Sequence, residues 1–148
     1  MLKVRDFFTI GYEGREIEEF ISYLKYFKVS RLIDVREIPL SRKIGFSKSS
    51  LKEKLASAEI EYVHLKSLGS PKEIRKKLKT DHNFKYFFKA YSSYLDNNQS
   101  AIEDVLKYIT DGINCIMCFE KSPDICHRST VVNKIKEYNG KELKIKHI

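Results

Sequence analysis

The sequence predicts an α/β fold, a three-layer sandwich with a mostly parallel sheet flanked by helices, and three observations carry that prediction. Short apolar runs of strand length alternate with stretches whose apolar residues recur every three or four positions. The alternation carries extra helical stretches in its middle, the order expected of a sheet with helices on its faces. No repeat, low-complexity segment or linker interrupts the 148 residues, so 1–148 are expected to form one α/β domain with a real core. Hydrophobic residues at 42% against 32% charged are ordinary for a soluble globular chain.

Phe7 to Ile10 is the first strand, closed by Gly11-Tyr12-Glu13-Gly14, whose glycines permit a tight turn and close backbone approach. Ile17, Phe20, Ile21, Leu24 and Phe27 follow at helical spacing, with Glu16, Glu18 and Glu19 where the helix dipole favours carboxylates. The glycine pair matches neither standard nucleotide fingerprint, so a turn into a helix is the simpler reading, with Tyr12 kept as a candidate ligand contact. Arg31 to Val35 is the second strand. The loop after it carries Arg36, Ser41, Arg42, Lys43, Ser47 and Lys48, cations and hydroxyls at a strand's carboxyl end. That composition suits an anion clamp, because Arg grips phosphate bidentately and serine donates to the same oxygens. The alternative is a solvated loop in which Arg36 pairs with Asp34.

Leu51, Leu55 and Ala58 mark the next helix, with Ser50 and Glu53 as a capping box. Glu61 to Leu65 is a third strand; His64 near its end either faces a ligand or is hydrogen-bonded within the fold. After the turn Leu68-Gly69-Ser70-Pro71, the basic run Lys72 to Lys79 turns Ile74 and Leu78 to the core and Arg75, Lys76, Lys77 and Lys79 outward, as a solvated face or as a backbone-contacting patch for nucleic acid. Phe84, Phe87, Phe88, Tyr91, Tyr94 and Leu95 make a helical stripe that reads as core packing. Ser100 and Glu103 offer a second capping box ahead of Ile102, Val105, Leu106 and Ile109. Ile113 to Phe119 is an apolar strand, Pro123 bends the chain, and a helix begins near Cys126 with Val131, Val132, Ile135 and Tyr138 on its apolar face. Glu142 to Ile148 is a final edge strand.

The stretch from Cys115 to Arg128 gathers thiols, a carboxylate, an imidazole and a guanidinium between a strand end and a helix start, where ligands sit in open α/β sheets. Strand alternation puts Cys118 and Glu120 on one face and Cys115 on the other, so Cys115 and Cys118 do not form a chelating or redox pair. Three readings of the cluster stay open. In one it is part of an anion-binding catalytic pocket, with Cys118 or Cys126 as thiolate, Glu120 or His127 as proton carrier, and Arg128 holding a negative group. In another, Cys118, Cys126, His127 and Glu120 hold a metal, against which stands the adjacency of Cys126 and His127; no metal ligand and no cofactor is assigned. In the third, the thiols are buried packing and Glu120 pairs with Arg128.

Lys plus Arg number 28 against 20 for Asp plus Glu, a net charge of +8 that attracts polyanions and equally serves solubility. Three cysteines, two of them in an interior strand, argue against a disulfide framework and fit a reducing compartment. No apolar run approaches membrane-spanning length, and the charged N-terminal stretch lacks the features of a secretory leader, so a cytoplasmic location with no membrane partner is expected. No exposed apolar stripe is evident in the sequence.

Thr9 to Gly14, Asp34-Val35-Arg36 with Pro39, Ser41 and Arg42, Gly45-Phe46-Ser47, Tyr62-Val63-His64, Leu68-Gly69, Cys118-Phe119-Glu120 and Cys126-His127-Arg128 together resemble the family catalogued as domain of unknown function 488. Ser70 departs from it, where many relatives look like having a second glycine. The resemblance implies that these polar positions share one site. Leu32 to Glu37 also looks like the opening of a rhodanese domain, but no Arg closes an anion loop at the right distance from Cys118 or Cys126, and that assignment fails. The expected protein therefore binds a phosphorylated small molecule, a nucleotide or a nucleic-acid segment. Asp34, Glu120, Cys118 and Cys126 are its candidate catalytic groups, and Arg36, Ser41, Arg42, His127, Arg128, Tyr12 and His64 its candidate ligand contacts. The alternative is a nucleic-acid-binding module acting through its basic surface.

Overall fold

The structure, a computed structural model, describes residues 5–109, 111–123, 126–138 and 143–148. Glu142, expected in the last strand, lies outside them, as do Met1 to Val4 of the leader reading. The elements are β1 (Arg5–Gly11), α1 (Ile17–Tyr26), β2 (Arg31–Asp34), α2 (Lys48–Ser57), β3 (Glu61–His64), a 3₁₀ turn (Lys66–Leu68), α3 (Lys72–Asp81), α4 (Phe84–Asp96), α5 (Gln99–Leu106), β4 (Asn114–Cys118), α6 (Arg128–Tyr138) and β5 (Leu143–His147). The strands form one sheet in the order β3-β2-β4-β1-β5, and every pairing is parallel. The α/β fold expected from the sequence is therefore the fold observed.

Parallel strands need crossover connections, and the helices supply them on both faces of the sheet. Alternation along β1 and β4 splits their side chains between two cores. Phe8, Ile10, Cys115 and Met117 pack against Phe20 and Leu24 of α1 and Leu51 and Leu55 of α2. Phe7, Ile116 and Cys118 pack on the other face against Tyr91 and Leu95 of α4, Ile102 and Val105 of α5, and Val131, Val132 and Ile135 of α6. Cys115 and Cys118 thus lie on opposite faces, as alternation requires. β3 and β5 are the sheet's edges.

Both capping boxes are corrected. α2 begins at Lys48 after Ser47, and α5 at Gln99 after Asn98, so Ser50 and Ser100 sit inside their helices. Asn83 does cap a helix: its side chain accepts from the Tyr86 amide at 3.0 Å ahead of α4. α3 is corrected too: Ile74 and Leu78 are only partly buried, and none of its residues enters a core. The aromatic stripe behaves as expected, with Phe87, Tyr91 and Leu95 buried.

One polar cluster escaped the sequence reading. At the amino ends of the strands, buried Arg31 pairs with Glu61 at 2.8 Å and Asp111 at 2.9 Å, donates to Asn114 Oδ1 at 3.0 Å, and lies over the Tyr108 ring. It ties β2, β3 and β4 together at the end opposite the candidate site.

Candidate functional site

The register levels the carboxyl ends of the three central strands: Gly11 pairs with Cys118, and Asp34 with Met117. The chains leaving β1 and β2 run to the α1/α2 face and the chain leaving β4 runs to α6 on the other, so a crevice opens where the connections diverge. Backbone bonds carry the ladder one step past the strands: Tyr12 N donates to Cys118 O at 3.2 Å, Glu13 N to Phe119 O at 2.8 Å, and Val35 N to Met117 O at 3.2 Å. Gly11 is required there, because a Cβ on it would overlap the Glu120 carbonyl. Gly11→Ala is expected to cost about 3 kcal/mol by overpacking a fixed backbone contact, read as a fall in urea midpoint; an unchanged midpoint would show that the two strand ends move apart freely.

Asp34 and Arg36 form a closed pair. Asp34, fully buried, accepts from Arg36 Nε at 2.9 Å and the Arg36 amide at 3.1 Å on one oxygen. Its other oxygen accepts from Arg36 Nη2 at 2.7 Å and the Tyr62 hydroxyl at 2.6 Å. The remaining guanidinium nitrogen donates to Phe46 O at 2.7 Å and to the Tyr12 hydroxyl at 3.3 Å. Burial opposes the charge on Arg36, but the bonds and charge of Asp34 outweigh it and hold the guanidinium protonated. Burial, and then the Asp34 charge, push the Tyr62 phenol well above its ordinary value. The pairing alternative for Arg36 is thus the geometry found, with Asp34 orienting the arginine.

His64 donates from Nε2 to the Arg36 carbonyl at 2.7 Å, the internal hydrogen bond that the simpler reading expects. Ser41 and Ser47 tie the loop to itself: Ser47 Oγ accepts from the Ser41 amide at 3.0 Å and donates to its carbonyl at 3.1 Å, and Ser41 Oγ accepts from the Lys43 amide at 3.1 Å. Arg42 is exposed, and neither it nor Ser41 lines the cavity described below. The same loop presents Ile38, Leu40 and Ile44 to solvent, at 53%, 71% and 83% exposure, an apolar surface that the sequence reading did not identify.

Cys118 and Cys126 meet on one face, and the structure joins them in a disulfide, leaving Cys115 as a free, buried cysteine. This corrects the expectation of free thiols. The cause is proximity: the chain turns back after β4, and Cys126, whose amide bonds to the Pro123 carbonyl at 3.3 Å, returns beside the strand end. Burial pushes the Cys115 thiol up, away from any nucleophilic role. His127 donates from Nε2 to the Val35 carbonyl at 2.9 Å and packs edge-on to Tyr91, and burial pushes its imidazole down to about 4. Burial also raises the Glu120 carboxyl, with Arg128 opposing and Glu13 assisting.

Arg128 points inward and is fully buried. It donates to Thr9 Oγ1 at 3.1 Å, Cys118 Sγ at 3.3 Å, Lys121 O at 3.0 Å and the Glu120 carbonyl. Thr9 in turn meets His147 Nδ1 at 2.5 Å, so one guanidinium joins β1, the β4 end and α6 to the β5 edge. Burial lowers its proton affinity without Glu120's charge fully compensating. The structure gives Arg128 the work of holding the strand end.

A cavity of about 350 Å³ opens above this floor. Cys118, Glu120 and His127 form its base, Tyr12, Phe119, Ile38, Leu40, Leu78 and Phe87 its apolar walls, and Arg36, Arg75, Lys79 and Glu37 its charged ones. Tyr12 stacks on Phe46 at 4.6 Å and meets Phe119 edge-on. Arg75 pairs with Glu37 at 2.9 Å and donates to the Ser70 carbonyl. Of the candidates, Tyr12, Arg36, Cys118, Glu120 and His127 therefore share one cavity; Asp34, His64, Cys126 and Arg128 support it from behind. Sequence reasoning missed Arg75, Lys79 and Phe119. The signal was the i, i+4 spacing of Arg75 and Lys79 flanking Leu78, which puts two cations beside an apolar residue on one helix face.

No helix among the described residues is long and apolar enough to cross a membrane. No curated protein and no solved structure gives a significant match to the chain. A family model described as "Domain of unknown function DUF488" matches residues 16–135, which takes in every motif of the resemblance except Thr9 to Gly14. The residues that build this crevice are thus mostly those of a recognised domain, and the chain belongs to the family of domain of unknown function DUF488.

Proposed function

We propose that the cavity binds an anionic small molecule with a planar or apolar portion, of the nucleotide type, and that Glu120 exchanges a proton with it. The observation that carries this reading is the pairing of an apolar wall with Arg75 and Lys79 above a half-buried carboxyl group. Phe119 is 45% exposed at the mouth, an apolar face open to stacking. Lys79 is exposed, and among the described residues it has no ion-pair partner, so its charge is available to a phosphate. The volume lies within the range of small-molecule pockets and is too small for a duplex. Burial raises the proton affinity of the Glu120 carboxyl, which suits a group that gives and takes a proton.

The test is calorimetric titration of nucleoside monophosphates and of orthophosphate against wild type, Lys79→Ala and Glu120→Gln. Lys79→Ala is expected to weaken nucleotide binding about tenfold, the loss of one charge-assisted contact. Equal nucleotide affinity in wild type and Lys79→Ala would remove the cavity from the reading. Oligonucleotide binding that collapses with salt and ignores both substitutions would favour the basic surface, as the non-enzymatic alternative requires.

A further inference from the structure

We propose that, in the reduced protein, Cys118, Cys126, His127 and Glu120 hold one zinc ion at the floor of the cavity. A ligand atom from each of the four lies within 4.8 Å of every other. Zinc with bonds of roughly 2.0–2.3 Å sets its ligands roughly 3.3–3.8 Å apart, so small side-chain adjustments close the shell. Two sulfurs, one imidazole nitrogen and one carboxylate oxygen form a donor set suited to zinc and unsuited to calcium or magnesium.

The backbone and the surrounding bonds fit the ion as well. The Cα atoms of Cys118 and Cys126 stand 7.4 Å apart, beyond the roughly 4.4–6.8 Å that two cysteines usually bridge directly, and an ion between the sulfurs spans the wider gap. His127 donates from Nε2 to a carbonyl, which can only accept, so in the neutral ring Nδ1 carries the lone pair; it lies 4.0 Å from Cys126 Sγ. That is the outer-shell bond that fixes a metal-binding imidazole. Arg128 Nη1 stands 3.3 Å from Cys118 Sγ, a positive charge beside a sulfur that would carry negative charge on the metal. The adjacency of Cys126 and His127 is no obstacle, because both precede the first residue of α6 and the non-helical backbone lets neighbouring side chains converge.

The disulfide and the metal are alternative states of the same sulfur pair. A dithiol reductant opens the Cys118–Cys126 bond, giving up two electrons and two protons and becoming a disulfide itself. Zinc then displaces those two protons as both sulfurs bind as thiolates. In the metal-loaded protein Glu120 is the ligand on the cavity side; in the metal-free protein it is the proton-exchanging group proposed above. Zinc uptake is read without any nucleotide, so its failure would leave the Lys79 comparison standing, and the reverse.

The experiment is titration of dithiol-reduced, reductant-free protein with zinc against a chromogenic chelator, followed by cobalt substitution. About one zinc per chain is expected, with thiolate-to-cobalt charge-transfer absorption in the near ultraviolet. Cys126→Ser and Cys118→Ser should each lower zinc affinity tenfold or more, while Cys115→Ser leaves it unchanged. Zinc uptake well below one per chain in reduced wild type would overturn the proposal. So would bound cobalt lacking thiolate bands in wild type, a readout that holds even where the cysteine variants fail to fold.

Discussion

Arg128→Ala is expected to lose about 3–5 kcal/mol of folding stability, the range for truncating a large buried side chain. The guanidinium has no exposed surface, and its donors satisfy the Thr9 hydroxyl, the Cys118 sulfur and the carbonyls of Glu120 and Lys121. Truncation leaves a cavity beneath the strand end and buried carbonyls without donors, two penalties that act together. For a chain of 148 residues, a loss of this size lowers Tm by roughly 10 °C. The sequence reading placed Arg128 among the ligand contacts, and a residue in that role would lose ligand and keep the fold when truncated. Urea denaturation decides between them: a midpoint within error of wild type, with ligand binding lost, would restore Arg128 to the ligand set. Arg128→Lys should recover only part of the loss, since one ammonium cannot reach partners spread around a planar fork.

Asp34→Ala is expected to cost a comparable 3–5 kcal/mol, because it strands the Arg36 guanidinium and the Tyr62 hydroxyl in the interior. Asp34→Asn keeps one acceptor oxygen, but its NH2 then faces an Arg36 N–H on the other side, so it should recover only part of the loss. Pairing Asp34→Ala with Arg36→Met removes both charges, and the double variant should be more stable than Asp34→Ala alone. Denaturation midpoints of the four proteins make the cycle. A double variant no better than the single would show that Phe46 and Tyr12 hold Arg36 without its carboxylate.

The order of strands and helices was legible because burial on one face or two leaves its period in the residues: Phe20 and Leu24, or Leu51 and Leu55, mark their helices without help. The location of the site was legible for the same reason, since glycines and polar groups at strand ends stand out against apolar runs. What the sequence left open is the direction of each charged side chain. Arg36 and Arg128, beside serines and helix starts, look like phosphate grips until their burial shows them bonded to the chain's own oxygens. Arg75 and Lys79 looked like surface charge, because whether a helix face borders water or a cavity depends on the loop packed opposite it. The capping boxes failed for a local reason: a serine three residues before a glutamate also occurs one turn inside a helix, as Ser50 does. The meeting of Cys118 and Cys126 depends on how a turn folds back, which spacing alone does not encode.

The two edge strands bear on a different property, the protein's resistance to growing sideways. An unpaired edge offers its amides to any other strand, and proteins blunt that risk with short edges and lysines. β3 has four residues, with an exposed Glu61 at its start. β5 has five, with exposed lysines at 144 and 146, the second near Asp6 at 3.8 Å. A second chain approaching β5 edge to edge would bring its own lysines toward Lys144 and Lys146, so the ladder has a built-in brake at that end.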